Sequence, residues 1–276
     1  MNKLIVVLVV VLSFTNVFSQ GPWTKGKNKA YLQIGFSGIF YDKVQINKKP
    51  VDLNANISDV TTQFYGEYGI TDQLDCSLIL PYKSIAATSK VGNLKSEISG
   101  LSNVTLGLKY KLYDKKWKIS TGLFYSANNF KANESIGLRT GFGSNTYLPY
   151  FTAGSCSGNF YYFGNIGYGY MSNDYTDFLK IGGEVGYKVA KKSHLILNLD
   201  LKQPLKAEKY FDSIDNSFYQ FFTTYIDKQQ FIGLGLKFNN EFIENKFGAN
   251  LGINIATNID NLPLKPSYNF GVYYKL

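Results

Sequence analysis

The chain has 276 residues, of which 45% are apolar, 16% aromatic and 18% charged, with 22 Tyr, 21 Phe, 2 Cys and a single His. One imidazole and two distant thiols cannot furnish a structural zinc site, an iron-sulfur cluster or a disulfide framework, so neither metal nor cofactor is expected. The ring content and a mean hydropathy of -0.14 exclude a disordered or coiled-coil chain, and a net charge of +9 carried almost wholly by lysine, with Arg139 the lone arginine, gives nucleic-acid binding no support.

Residues 1–19 read as a cleaved signal peptide. Lys3 supplies the positive start, Leu4 to Leu12 is an unbroken apolar run, and Val17-Phe18-Ser19 offers the residues a signal peptidase reads. Beyond Ser19 no apolar run approaches the length of a membrane helix. The chain instead alternates with period two in twelve segments: 29–41, 60–68, 73–83, 101–113, 117–127, 145–154, 160–171, 178–189, 194–203, 229–238, 246–256 and 267–276. In the fourth, Val104, Leu106, Leu108, Tyr110 and Leu112 take one face and Asn103, Thr105, Gly107, Lys109 and Lys111 the other. Tight turns at 69–72, 114–116, 155–159 and 190–193 alternate with long polar stretches at 42–59, 84–100, 128–144 and 204–228, although 172–177 and 239–245 blur the contrast.

An even number of tilted nine- to thirteen-residue strands, with short turns on one rim and long loops on the other, predicts an all-β fold over residues 20–276. The expected architecture is a transmembrane antiparallel up-and-down β-barrel, with long loops outside the cell and both termini in the periplasm. A soluble sandwich or lipocalin-like barrel also alternates, but its polar face would carry most of the charge. Here that face is rich in Gly, Asn and Tyr, and the apolar face is bracketed by rings such as Tyr68, Tyr82, Tyr110, Trp117 and Tyr187, as membrane interfaces favour. The closing segment carries Asn269, Gly271, Tyr274 and terminal Leu276, which resemble the ending read by barrel-assembly machinery, although Phe is the usual last residue.

Tyr68-Gly69-Ile70-Thr71-Asp72-Gln73-Leu74, followed by Leu80-Pro81-Tyr82, resembles a segment of the outer-membrane channel family named for the MetA pathway of phenol degradation. Gly100 to Tyr110, Gly141-Phe142-Gly143-Ser144 and Tyr162 to Tyr170 extend the similarity, which covers roughly residues 60 to 190. Where the family carries Ser-Gly-x-Gly-Asp, this chain has Ser102-Asn103. The resemblance implies passive uptake of small hydrophobic or aromatic solutes.

An enzyme is not expected. The lone His194 falls beside a tight turn on the rim away from outer-leaflet lipid, and the adjacent Ser193 points to the opposite face of its strand. Two unpaired thiols are expected, with Cys76 on the apolar face and Cys156 in a turn. The inward face is expected to hold a charge network of Lys109, Lys180, Glu184, Asp200 and Lys202, with diagonal pairs Lys180–Asp200 and Glu184–Lys202. Inward rings are expected at Tyr31, Tyr65, Phe124, Tyr161, Phe163 and Tyr273. The loop 204–228 carries Tyr210, Phe211, Phe218, Tyr219, Phe221, Phe222 and Tyr225, and reads as packing against neighbouring loops, as an upward extension of the tenth strand, or as an aromatic lid over the lumen. Three functions compete: a channel for small hydrophobic or aromatic solutes, a narrow channel for small anions, and a plugged structural or adhesive barrel working through its outer loops. Expected partners are outer-membrane lipid, barrel-assembly machinery and a small-molecule solute.

Overall fold

The computed structural model describes residues 21–46, 48–92, 94–133, 137–205 and 228–276. The expected signal peptide lies outside them, as do the loop residues Tyr210, Phe211, Phe218, Tyr219, Phe221, Phe222 and Tyr225.

Alternating segments become strands because only a sheet places every second side chain on one face. In chain order these are β1 (Ala30–Ile46), β2 (Lys49–Gly69), β3 (Leu74–Ser89), β4 (Lys95–Leu101), β5 (Thr105–Asp114), β6 (Lys118–Ser126), β7 (Ala132–Asn133), β8 (Leu138–Arg139), β9 (Thr146–Ser157), β10 (Phe160–Met171), β11 (Phe178–Ala190), β12 (Ser193–Pro204), β13 (Gln230–Ile243), β14 (Phe247–Asp260), β15 (Leu262–Pro263) and β16 (Ser267–Lys275). Both β4 and β5 pair with β3, so together they form one stave interrupted at residues 102–104. Counting that stave once and leaving out the two-residue pieces β7, β8 and β15, twelve antiparallel staves surround the lumen. β1 pairs with β2 on one side and with β16 on the other, which removes both sheet edges. The seam reaches the chain end, where Leu276 N donates to Ala30 O at 2.9 Å.

Faces sort as a lipid-bathed barrel requires. Leu106, Leu108, Leu197, Leu234 and Phe270 stand exposed on the outside, and Tyr68, Tyr110, Trp117, Tyr187 and Tyr274 lie on the same outer surface. Inward positions hold Glu67, Asp75, Lys83, Lys109 and Thr105, all buried.

Two of the expected long loops are strand. β1 and β2 stay paired as far as Ile46 and Lys49, and β3 and β4 form a second raised hairpin, so 42–59 and 84–100 are mostly paired backbone. In this extension the polarity inverts. Ile39, Tyr41, Leu53, Ala55, Ile57, Ile85 and Ala87 point inward and bury one another, while Asn54, Asn56 and Ser84 face out. Leu138 completes that core from the stretch 137–144.

Candidate functional site in the barrel lumen

At the rim of the short turns, the residues before β1 turn back into the barrel. Trp23 packs edge-on against Tyr161 and Phe163, with ring centroids 5.9 and 5.8 Å away. Its carbonyl accepts from Lys109 Nζ at 2.8 Å, and that of Pro22 accepts from Ser120 Oγ at 2.6 Å. Lys25 adds an ion pair to Glu67 at 3.0 Å, and its backbone N–H donates to Asp75 Oδ2 at 3.0 Å. Lys109 also meets Glu67 at 2.6 Å and Asp75 at 3.5 Å, so two carboxylates and two ammoniums share one buried cluster. Glu67, Asp75 and Lys109 are held there by mutual pairing, being too deeply buried to stand alone, while Lys25 reaches them from a partly exposed position. Gly69 permits the seat: a Cβ there would lie 1.9 Å from the Gly26 carbonyl oxygen.

Beside this strap lies a cavity of about 290 Å³, lined in part by Trp23, Tyr31, Tyr65, Tyr161, Phe163 and Tyr273. Tyr31 stacks on Tyr273 at 5.3 Å and meets Tyr65 at 5.9 Å. Five of the six rings expected in the lumen thus gather at this level. The sixth, Phe124, stacks on Tyr150 at 5.0 Å nearer the other rim.

That second level is a cavity of about 250 Å³ beneath the raised hairpins. Its apolar wall includes Phe124, Phe142, Leu148, Met171 and Phe178, and its polar groups include Lys83, Lys180, Asp200 and Lys202. Lys83 is held by both oxygens of Asp59, at 2.6 and 2.9 Å. Lys180 Nζ lies 3.2 Å from Asp200 Oδ2, on the diagonal. Asp200 Oδ1 is buried without a hydrogen-bond partner. Lys202 Nζ sits 4.5 Å from the Phe178 ring centroid and 5.0 Å from that of Phe142, and donates to Gln229 Oε1 at 3.4 Å.

The five charges expected to form one network occupy three places. Lys109 belongs to the strap cluster, and Lys180, Asp200 and Lys202 to the second level. Glu184 pairs with Lys237 at 3.3 Å and accepts from Tyr161 OH at 2.6 Å, so the expected Glu184–Lys202 pair is absent. Register explains the correction: Glu184 stands opposite Asn198, and Lys202 lies four residues further along β12, about 13 Å away at strand rise. Lys237 reaches Glu184 across β12 from opposite Ile196. Cys156, expected in a turn, lies within β9 and is exposed, and Cys76 is partly buried; both thiols are free. Among the described residues no group of His, Cys, Asp and Glu could hold a metal.

Sequence reasoning missed Trp23 and Phe142. A single Trp ahead of the first strand has no period to betray its direction. Phe142 is placed by Asn103, whose Nδ2 donates to the carbonyls of Ala127 and Phe142 at 2.8 and 2.9 Å and whose Oδ1 accepts from Phe142 N at 2.7 Å. Asn103 sits in the break between β4 and β5, where its side chain is free to bond a loop. The departure Ser102-Asn103 was the available signal.

No family model matches the chain, and no curated protein matches it. Solved structures do. The chain is similar to an outer-membrane channel from Pseudomonas putida F1, at 14% identity and TM-score 0.69, covering 91% of this chain and 96% of that one. It is similar to the β domain of the Bordetella autotransporter BrkA, at 10% identity and TM-score 0.53, covering 91% and 100%. It is also similar to the NanC porin, at 11% identity and TM-score 0.52, covering 90% and 100%. At these identities the likeness is one of fold, a closed antiparallel barrel.

Proposed function

We propose that the chain is a channel of the bacterial outer membrane that takes up small hydrophobic or aromatic solutes passively, without catalysis. The observation that carries this reading is the 250 Å³ apolar-walled cavity inside a barrel whose exterior suits lipid. Its size lies near the lower end of small-ligand pockets, roughly 300 Å³, and suits a single ring. In this reading the raised hairpins face the exterior and the turn rim faces the periplasm. Asn269, Gly271, Tyr274 and Leu276 then present the closing strand to barrel-assembly machinery. Bacteria expressing the chain should take up labelled benzyl alcohol faster than the same cells without it; equal initial rates at equal expression would refute the reading.

A plugged barrel is the second reading, favoured by the Trp23 strap across the turn rim. It predicts a silent membrane for the intact protein, with conductance appearing only once residues 21–25 are removed.

A further inference from the structure

Four lysines line the 250 Å³ cavity, against the single carboxylate of Asp200. Three have an acidic partner: Lys83 has Asp59, Lys180 has Asp200, and Lys265 lies 3.8 Å from Asp42. Lys202 differs. Its directly opposite residue on β11 is Lys180, a like charge, and the Asp200 carboxylate, which acts on Lys202 only from beyond ion-pair distance, forms its ion pair with Lys180. What it has is one amide oxygen at 3.4 Å and the faces of two rings. An ammonium so placed has exchanged water for weaker partners, a deficit that an anion entering the cavity would fill. The same rings and Leu148 form an apolar surface beside it.

We infer that this cavity binds small aromatic carboxylates, with Lys202 taking the carboxylate and Phe142, Phe178 and Leu148 the ring. The assignment rests on the channel reading and narrows it: the preferred solute is an amphipathic acid rather than a neutral hydrocarbon. Phe142 is brought there by the Asn103 clamp on loop 128–144, so the site depends on that loop as well as on the staves. Phe178 owes its position to Gly169, where a Cβ would lie 2.2 Å from its ring.

The test is block of single-channel current in planar bilayers holding the full protein, with benzoate and its neutral counterpart benzyl alcohol as probes. Benzoate should half-block at a concentration about tenfold or more below benzyl alcohol, the size of one charge-assisted hydrogen bond. Lys202→Met should erase that ratio and Lys202→Arg should keep it. Block by benzyl alcohol with no preference for benzoate would overturn the carboxylate site and leave the channel reading standing. Current untouched by either probe would overturn both. The wild-type ratio stands as a test even where Lys202→Met fails to assemble, and Asn103→Ala, which frees Phe142, should lower the same ratio.

Discussion

A side chain in this barrel is judged by the medium it faces. Leu108 is half exposed on the outer surface near mid-stave, so Leu108→Lys should cost about 2 to 4 kcal/mol, whereas Leu108→Phe should be nearly neutral. Reversible unfolding from lipid vesicles in urea reads both. Glu67 faces inward between Lys25 and Lys109 and is 3% exposed, so Glu67→Gln removes the carboxylate they share, leaves Lys109 only the carboxylate of Asp75 at 3.5 Å, and should cost about 3 to 5 kcal/mol. On the opposite wall, a double-mutant cycle of Glu184→Gln with Lys237→Met should show a coupling of about 0.5 to 3 kcal/mol. The cycle of Glu184→Gln with Lys202→Met should be additive; coupling there instead would contradict the register of β11 and β12. At this scale the sequence was informative about direction and poor about distance. Alternation placed Glu184 and Lys202 on one face, but a face extends along the whole stave, and which ammonium meets which carboxylate depends on the neighbouring strand β13.

The staves themselves were legible because each combines the two signals a membrane strand needs, an apolar outer face and a turn at the rim. Their upper ends were not. Above the lipid the outer face meets water and the inner face meets its own core, so Leu53, Ala55 and Ile57 alternate with Asn54, Asn56 and Ser58 in an inverted sense that reads as polar loop. The strap was illegible for another reason: Gly21 to Lys25 forms no regular element, and what fixes it is a set of long-range bonds to Glu67, Asp75, Lys109 and Ser120. Gly69→Ala would drive a methyl group into the Gly26 carbonyl and so unseat the strap. Unit conductance should rise in that variant and rise similarly when residues 21–25 are deleted, while the mobility shift on boiling in detergent stays unchanged. No rise in either would show that the strap does not limit the pore.

For the whole molecule, closure, an apolar exterior and a lumen with two levels are a single design. The seam between β1 and β16 gives the sheet no edge, and the exterior gives it a lipid medium. The interior holds a chamber between the raised hairpins and the strap whose wall combines apolar side chains with Lys83, Lys180, Asp200 and Lys202. Composition and alternation revealed the first two features. The chamber escaped them because its wall draws Phe142 from a loop, Phe178 from a stave end and Leu148 from β9. The central claim is that this chamber admits small aromatic solutes through the barrel. Its most direct test is the single-channel record of the purified protein in a planar bilayer as benzyl alcohol is added. The account predicts small discrete steps that aromatic solute interrupts in proportion to its concentration; steps indifferent to the solute, or a silent membrane both with and without residues 21–25, would contradict it.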